Sequence, residues 1–143
     1  MSSIALSWTP PGTFHHVGFV VASIENAAHS FAESIQARWD GKVIYDPNQL
    51  VQVTFLQGQS PTDPLFELVE PAGEKSPVLS FLQRGGGLHH VCYVVDSMDE
   101  ALERSRLHHG PVVRAPFPAA AFGGRRIAWV YTKNKLLIEY LEK

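Results

Sequence analysis

Phe14-His15-His16-Val17-Gly18-Phe19-Val20-Val21-Ala22-Ser23 comes back further along the chain as Leu88-His89-His90-Val91-Cys92-Tyr93-Val94-Val95-Asp96-Ser97. A stretch that recurs in this way marks a duplicated unit, so the chain reads as two similar modules facing one another. Each unit also closes on a carboxylate inside an apolar run, Leu65-Phe66-Glu67-Leu68-Val69 in the first and Leu136-Leu137-Ile138-Glu139-Tyr140 in the second. An ionised glutamate in such a run is costly to bury unless it is paired or bound to a metal. A histidine and a glutamate from each copy make a donor set that suits a divalent cation.

The chain has 143 residues, of which 45% are hydrophobic, enough for one domain or two small modules sharing a core. Its formal net charge of -2 comes from interspersed acids and bases, with no basic stripe to neutralise a phosphate backbone. Nucleic acid is therefore not an expected partner. Cys92 is the only cysteine, so no intrachain disulfide forms, which suits a reducing compartment. The start, Met1 to Phe14, has neither the charged nor the apolar region of a signal peptide, and nothing later approaches the roughly 18 apolar residues of a membrane span. These readings set the expectation of a cytoplasmic protein with no membrane contact.

Residues 15 to 21 and 89 to 95 are short and rich in Val, Phe and Tyr, which predicts a strand in each, and Ser23 and Ser97 are placed to cap a following helix. The first helix is predicted over Ile24 to Gln36. The second carries Asp99 and Glu100 in its first turn, where the helix dipole favours negative charge, and ends on Arg106, His108, His109 and Gly110. Further strands are predicted at Lys42 to Tyr45, Val51 to Leu56 and Leu65 to Val69, then at Val112 to Arg114, Arg126 to Tyr131 and Leu136 to Leu141. Both halves read βαβββ, an α+β architecture, with module 1 over about 14–71 and module 2 over about 88–142. Between them, Ser76 as N-cap, Pro77 at the first helical position and Gly85-Gly86-Gly87 at the end predict a linker helix over about 76–84.

Adjacent residues on a regular strand point to opposite faces, so one histidine of each doublet must be chosen for a shared site. His15 begins the bulky row Val17, Phe19, Val21, and His89 begins Val91, Tyr93, Val95, the rows expected to pack on the helices. His16 and His90 share their face with the small residues Gly18 and Cys92, which leave room above the sheet. By the same parity Glu67 sides with Leu65 and Val69, and Glu70 beside Pro71 reads as a surface residue. A lone histidine on a strand is more often a core or surface residue than a ligand; the repetition of four candidates at equivalent places argues for a metal site at His16, Glu67, His90 and Glu139. Near the far end Arg125, Arg126 and Lys133 flank a strand beside Gly123-Gly124, a cluster suited to an anionic substrate and equally to plain solvation. His29, His108 and His109 fall on helices as surface residues.

At these residues the chain resembles the vicinal oxygen chelate superfamily, whose members pair βαβββ modules into a half-barrel around a metal, over Phe14 to Glu142. Within it the similarity is to the methylmalonyl-CoA epimerases, through His15-His16-Val17, Glu67-Leu68-Val69-Glu70-Pro71, Ser76-Pro77, Phe81-Leu82, Gly87-Leu88-His89-His90-Val91, Gly123-Gly124-Arg125 and Leu137-Ile138-Glu139. The resemblance implies a divalent ion (Co, Ni, Zn or Mn) on His16, His90 and Glu139 with Glu67 fourth, and proton removal next to a carbonyl with Glu139 as ligand and base. It also implies a small anionic substrate such as an acyl-CoA, and a homodimer. The chain departs from the epimerase pattern at Pro47-Asn48-Gln49, where that family usually carries a catalytic glutamate. Asn48 can donate a hydrogen bond to a substrate oxygen but cannot take a proton from carbon. Asp46, two residues earlier, is a substitute base or, more simply, a solvated turn residue. The expected function is thus a metal-dependent epimerase or isomerase, with a lyase of the glyoxalase I type and a metal-free binding or resistance protein as alternatives. Iron dioxygenase chemistry ranks lower, because a fourth acidic ligand fits poorly with two His and one Glu.

Overall fold

The structure is a computed structural model and describes residues 12–143; the reading of the segment before residue 12 lies outside the described residues. The chain order is β1 (Thr13–Val20), α1 (Ile24–Ile35), β2 (Arg38–Trp39), β3 (Ile44–Asp46), β4 (Val51–Gln57), β5 (Leu65–Pro71), α2 (Leu79–Gln83), β6 (Gly87–Val95), α3 (Met98–His108), β7 (Val112–Pro118), a 3-10 turn (Ala120–Phe122), β8 (Arg126–Tyr131) and β9 (Leu137–Glu142). All nine strands join one open, mixed sheet in the order β2-β4-β5-β1-β6-β9-β8-β7, with β3 paired to β4. The duplication is written into that order. β1 and β6 run antiparallel at the centre, and each is flanked by the last strand of its own repeat, β5 or β9, in parallel pairing. The α+β reading of two βαβββ units holds, and the sheet stays open as a half-barrel does.

The helices form where the capping signals place them. Ser23 Oγ accepts from Asn26 N and Ser97 Oγ from Glu100 N, each satisfying one of the backbone donors that a helix start leaves free. Helix α1 buries Ile24, Ala28 and Ala32 against Leu56 and Leu68, with Phe19, Phe31 and Phe66 around them. Helix α3 buries Met98, Ala101 and Leu102 against Val95, Ala128, Val130 and Tyr140. Each large apolar side chain buried in these layers contributes about 1.5–3 kcal/mol relative to exposure. Both helices lie on the outer face of the sheet, which leaves the alternate residues of β1 and β6 to face the concave side.

One strand is additional to those expected, and two expectations need correction. Strand β2 lacks a hydrophobic run of its own and forms because Trp39 reaches back to Thr54 Oγ1 at 2.7 Å and packs on α1. The linker helix is shorter than predicted: its N-cap is Val78, with no side-chain cap bond, and Ser76 instead buries an Oγ that has no hydrogen-bond partner among the described residues. Glu70 is half-buried rather than a surface residue, because its Oε1 accepts the Ile24 N–H at 2.7 Å and so anchors the start of α1. The Gly85-Gly86-Gly87 stop behaves as read, with φ of 122, 66 and 94° reversing the chain into β6, a path that side chains with a Cβ rarely follow.

Candidate metal centre

Two rows of cross-strand neighbours build the centre. In one, Glu67 of β5 lies beside Gly18 of β1, which lies opposite His90 of β6; in the other, His16 of β1 lies opposite Cys92 of β6, which lies beside Glu139 of β9. The rows are images of one another under the repeat. Each histidine therefore crosses to the strand of the other module, and its small neighbour makes room for it. A Cβ on Gly18 would overlap the His90 ring, so glycine is a steric requirement there.

The four side chains converge. The Nε2 atoms of His16 and His90 are 3.1 Å apart. Glu67 Oε1 lies 3.4 Å from His16 Nε2 and 3.1 Å from His90 Nε2, and Glu139 Oε1 lies 3.1 and 3.5 Å from the same two atoms. All four are buried, with His16 at 0% exposure and Glu67, the most exposed, at 5%. Such a cluster is costly in isolation: two carboxylates face each other with solvent excluded. Burial works against the charged forms, but the carboxylates hold both histidines above their ordinary value, and the histidines hold both glutamates below theirs. Glu139 Oε1 is left without an aligned hydrogen-bond donor although it is fully enclosed. Four donor atoms within 4.8 Å of one another, two imidazole nitrogens and two carboxylate oxygens, with one oxygen unsatisfied, fit a divalent transition metal.

Strict alternation on the strands does not hold at the doublets. The ladder between β1 and β6 skips from Phe14 to His16 and from His90 to Leu88, so His15 and His89 are each the extra residue of a β-bulge. A bulge lets successive side chains turn to one side. The His15 and His16 rings are consequently 5.0 Å apart, those of His89 and His90 5.1 Å, and the Nδ1 atoms meet at 2.7 and 2.9 Å. The histidine that parity selects from each pair is the one that enters the cluster, but the premise that the other must point away does not hold. A doubled histidine at the same place in both repeats was the available signal of a bulge.

Beside the cluster lies a cavity of about 40 Å³, lined by Glu67, His89, His90, Glu139, Phe122 and Trp129 together with Asp46 and Gln49. Asp46 is 1% exposed, not a solvated turn residue. Its Oδ1 accepts from Asn48 N and Gln49 N, and its Oδ2 from Gln49 Nε2 and, across the module boundary, Ala120 N. With those donors satisfied, Asp46 acts as a clasp between the β3–β4 turn and the second repeat. Asn48 is exposed and does not line the cavity; its Nδ2 donates to Pro118 O and its own carbonyl accepts from Arg114. Arg125 and Arg126 are exposed and engage Glu142, the latter through two nitrogens, and Lys133 is exposed in the β8–β9 turn. Those three cations do not join the four clustered groups. His29, His108 and His109 are exposed, as expected. Trp129 and Phe122 escaped the sequence reading because an aromatic in a strand or turn carries no sign of which wall it forms; the Trp129 ring stands 4.8 Å from that of His90.

Residues 15–129 match the Glyoxalase/Bleomycin resistance protein/Dioxygenase superfamily, and the chain belongs to it. An ethylmalonyl-CoA/methylmalonyl-CoA epimerase of Cereibacter sphaeroides is 29% identical over 132 residues, covering 90% of this chain and 96% of that protein. The uncharacterized protein YqjC of Bacillus subtilis is 32% identical over 130 residues, 89% of each chain. The crystal structure of methylmalonyl-CoA epimerase from Mycobacterium tuberculosis shares the fold with a TM-score of 0.78 at 21% identity, over 95% of this chain and 93% of that one. Among the described residues no helix is long and apolar enough to cross a membrane.

Proposed function

We propose that the chain is a metal-dependent epimerase or isomerase that removes the proton next to the carbonyl of a small 2-substituted acyl-CoA. The observation that carries this reading is the convergence of His16, Glu67, His90 and Glu139 within 4.8 Å, and the similarity to an acyl-CoA epimerase over nearly the whole chain supports the substrate class. These four residues would hold the divalent ion, which would supply Lewis-acid polarisation of the substrate carbonyl and stabilise the charge that grows on its oxygen. Glu139 takes the proton: its Oε1 is fully enclosed in the cluster and has no aligned hydrogen-bond donor. Trp129, Phe122 and the valines of β4 and β5 wall the cavity and exclude water, which strengthens each of these interactions.

Inversion at the carbon also needs a proton donor on the opposite face. Asn48 is turned away and Asp46 is occupied by its four donors, so Glu67 is the other carboxylate of the cavity, and it serves as that donor only after taking up a proton of its own. The absence of a glutamate at position 48 favours one second reading, a glyoxalase-type lyase that moves a proton along one face only. The test is conversion of a single epimer of methylmalonyl-CoA to the mixture, followed by chiral chromatography, beside formation of the thioester from the methylglyoxal–glutathione adduct. Conversion by the cobalt-loaded protein, reduced about 100-fold or more in Glu139→Gln, supports the epimerase. Turnover of the adduct alone replaces it with the lyase.

A further inference from the structure

The first histidines of the two doublets are not accounted for by the cluster, yet they occupy equivalent bulges and make equivalent contacts. A neutral imidazole has one N–H and one lone pair. His16 and His90 aim Nε2 into the cluster, 3.1 Å apart, and offer lone pairs there only if both carry their hydrogen on Nδ1. Each Nδ1 lies 2.7 or 2.9 Å from the Nδ1 of the preceding histidine, so that neighbour must be the acceptor and must keep its own hydrogen on Nε2. The Cys92 thiol also lies within 4.8 Å of the His15–His16 pair, but sulfur is a weak acceptor beside an imidazole nitrogen. The accepting rings are braced edge-on by aromatic walls, His15 by Phe122 at 5.5 Å and His89 by Phe81 at 4.8 Å between centroids.

We propose that His15 and His89 are a matched pair of positioning residues: each accepts the Nδ1–H of the histidine that follows it, and so fixes that ring with Nε2 bare and directed at the metal. Ligating histidines ordinarily hand this hydrogen to a carboxylate or carbonyl. Here a β-bulge, one in each repeat, supplies the acceptor from the preceding residue in the chain. The role explains why the doublet recurs entire, since a ligand alone would need only His16 and His90. This inference rests on the metal-binding reading given above.

Cobalt(II) affinity and visible spectrum of the full chain test it, with Leu and Asn at each position. Asn places Oδ1 close to where the histidine Nδ1 sits, whereas Leu fills the space with no acceptor. His15→Leu and His89→Leu are expected to weaken cobalt binding about 10–100-fold and to alter its spectrum, while His15→Asn and His89→Asn recover most of the affinity. Leu variants that bind cobalt like the parent, or Asn variants as weak as Leu, overturn the proposal. Should a variant fail to fold, nitrogen-15 NMR of the zinc-loaded parent decides: two of the buried imidazoles must be Nδ1–H tautomers bonded to two Nε2–H tautomers, and any other assignment overturns it. A parent that binds neither metal defeats the metal reading itself, an outcome separate from variants that bind as the parent does.

Discussion

At the scale of single residues, the proposed cation binding at the cluster is tied to pH. Burial alone would lower His16 and His90 from the ordinary value of 6.5, but Glu67 and Glu139 raise both. In the metal-free protein, the stability these histidines contribute is present below pH 6.5 and is lost as pH rises through their elevated folded values. A bound cation needs the same nitrogens bare, so binding must release protons, and cobalt affinity should climb steadily between about pH 7 and 9 instead of levelling above neutrality. Titration at several pH values checks this; a flat profile contradicts it. Gly18 offers a second test. The His90 ring occupies the space a Cβ would take, so Gly18→Ala should cost about 1–3 kcal/mol of stability by overpacking, seen in chemical denaturation. It should also weaken cobalt binding, because His90 is the group displaced.

Elements carry their own tests. The start of α1 is held twice, by Ser23 within the helix and by Glu70 from the end of β5. A carboxylate that accepts from a helix N-terminus is stabilising, so Glu70→Ala should lower the urea midpoint by an amount equal to about 1–3 kcal/mol with the slope unchanged. An unchanged midpoint would reduce this contact to surface decoration. The elements were legible where periodicity and capping agree: β1, α1, β6, α3, β8 and β9 fall within a residue or two of their expected bounds. What escaped depends on tertiary contact. Residues 38 and 39 become a strand through Trp39 and Thr54, far apart in sequence. Ser76 and Pro77 carry the signature of a helix start, but the helix begins only at Leu79, two residues later.

For the molecule as a whole, duplication made the architecture readable, because a repeated His-His and a repeated buried glutamate place the same chemistry on two central strands. The four clustered residues could be chosen from the pattern alone, since alternation, though broken by the bulges, still puts His16 with Gly18 and His90 with Cys92. The clasp at Asp46 was not readable: its partner Ala120 lies in the other repeat, and no local pattern announces a contact of that range. Nor did the exposed positions of Arg125, Arg126 and Lys133 follow from sequence, where a basic cluster looks the same bound or solvated. The central claim is that this duplicated cluster binds a divalent ion in order to loosen a proton beside a carbonyl. Proton NMR in deuterium oxide, with methylmalonyl-CoA and protein either cobalt-loaded or stripped of metal, tests it most directly. The account predicts that the α-proton signal disappears with the loaded protein and persists with the stripped one; persistence with cobalt demonstrably bound, or equal loss in both, would contradict it.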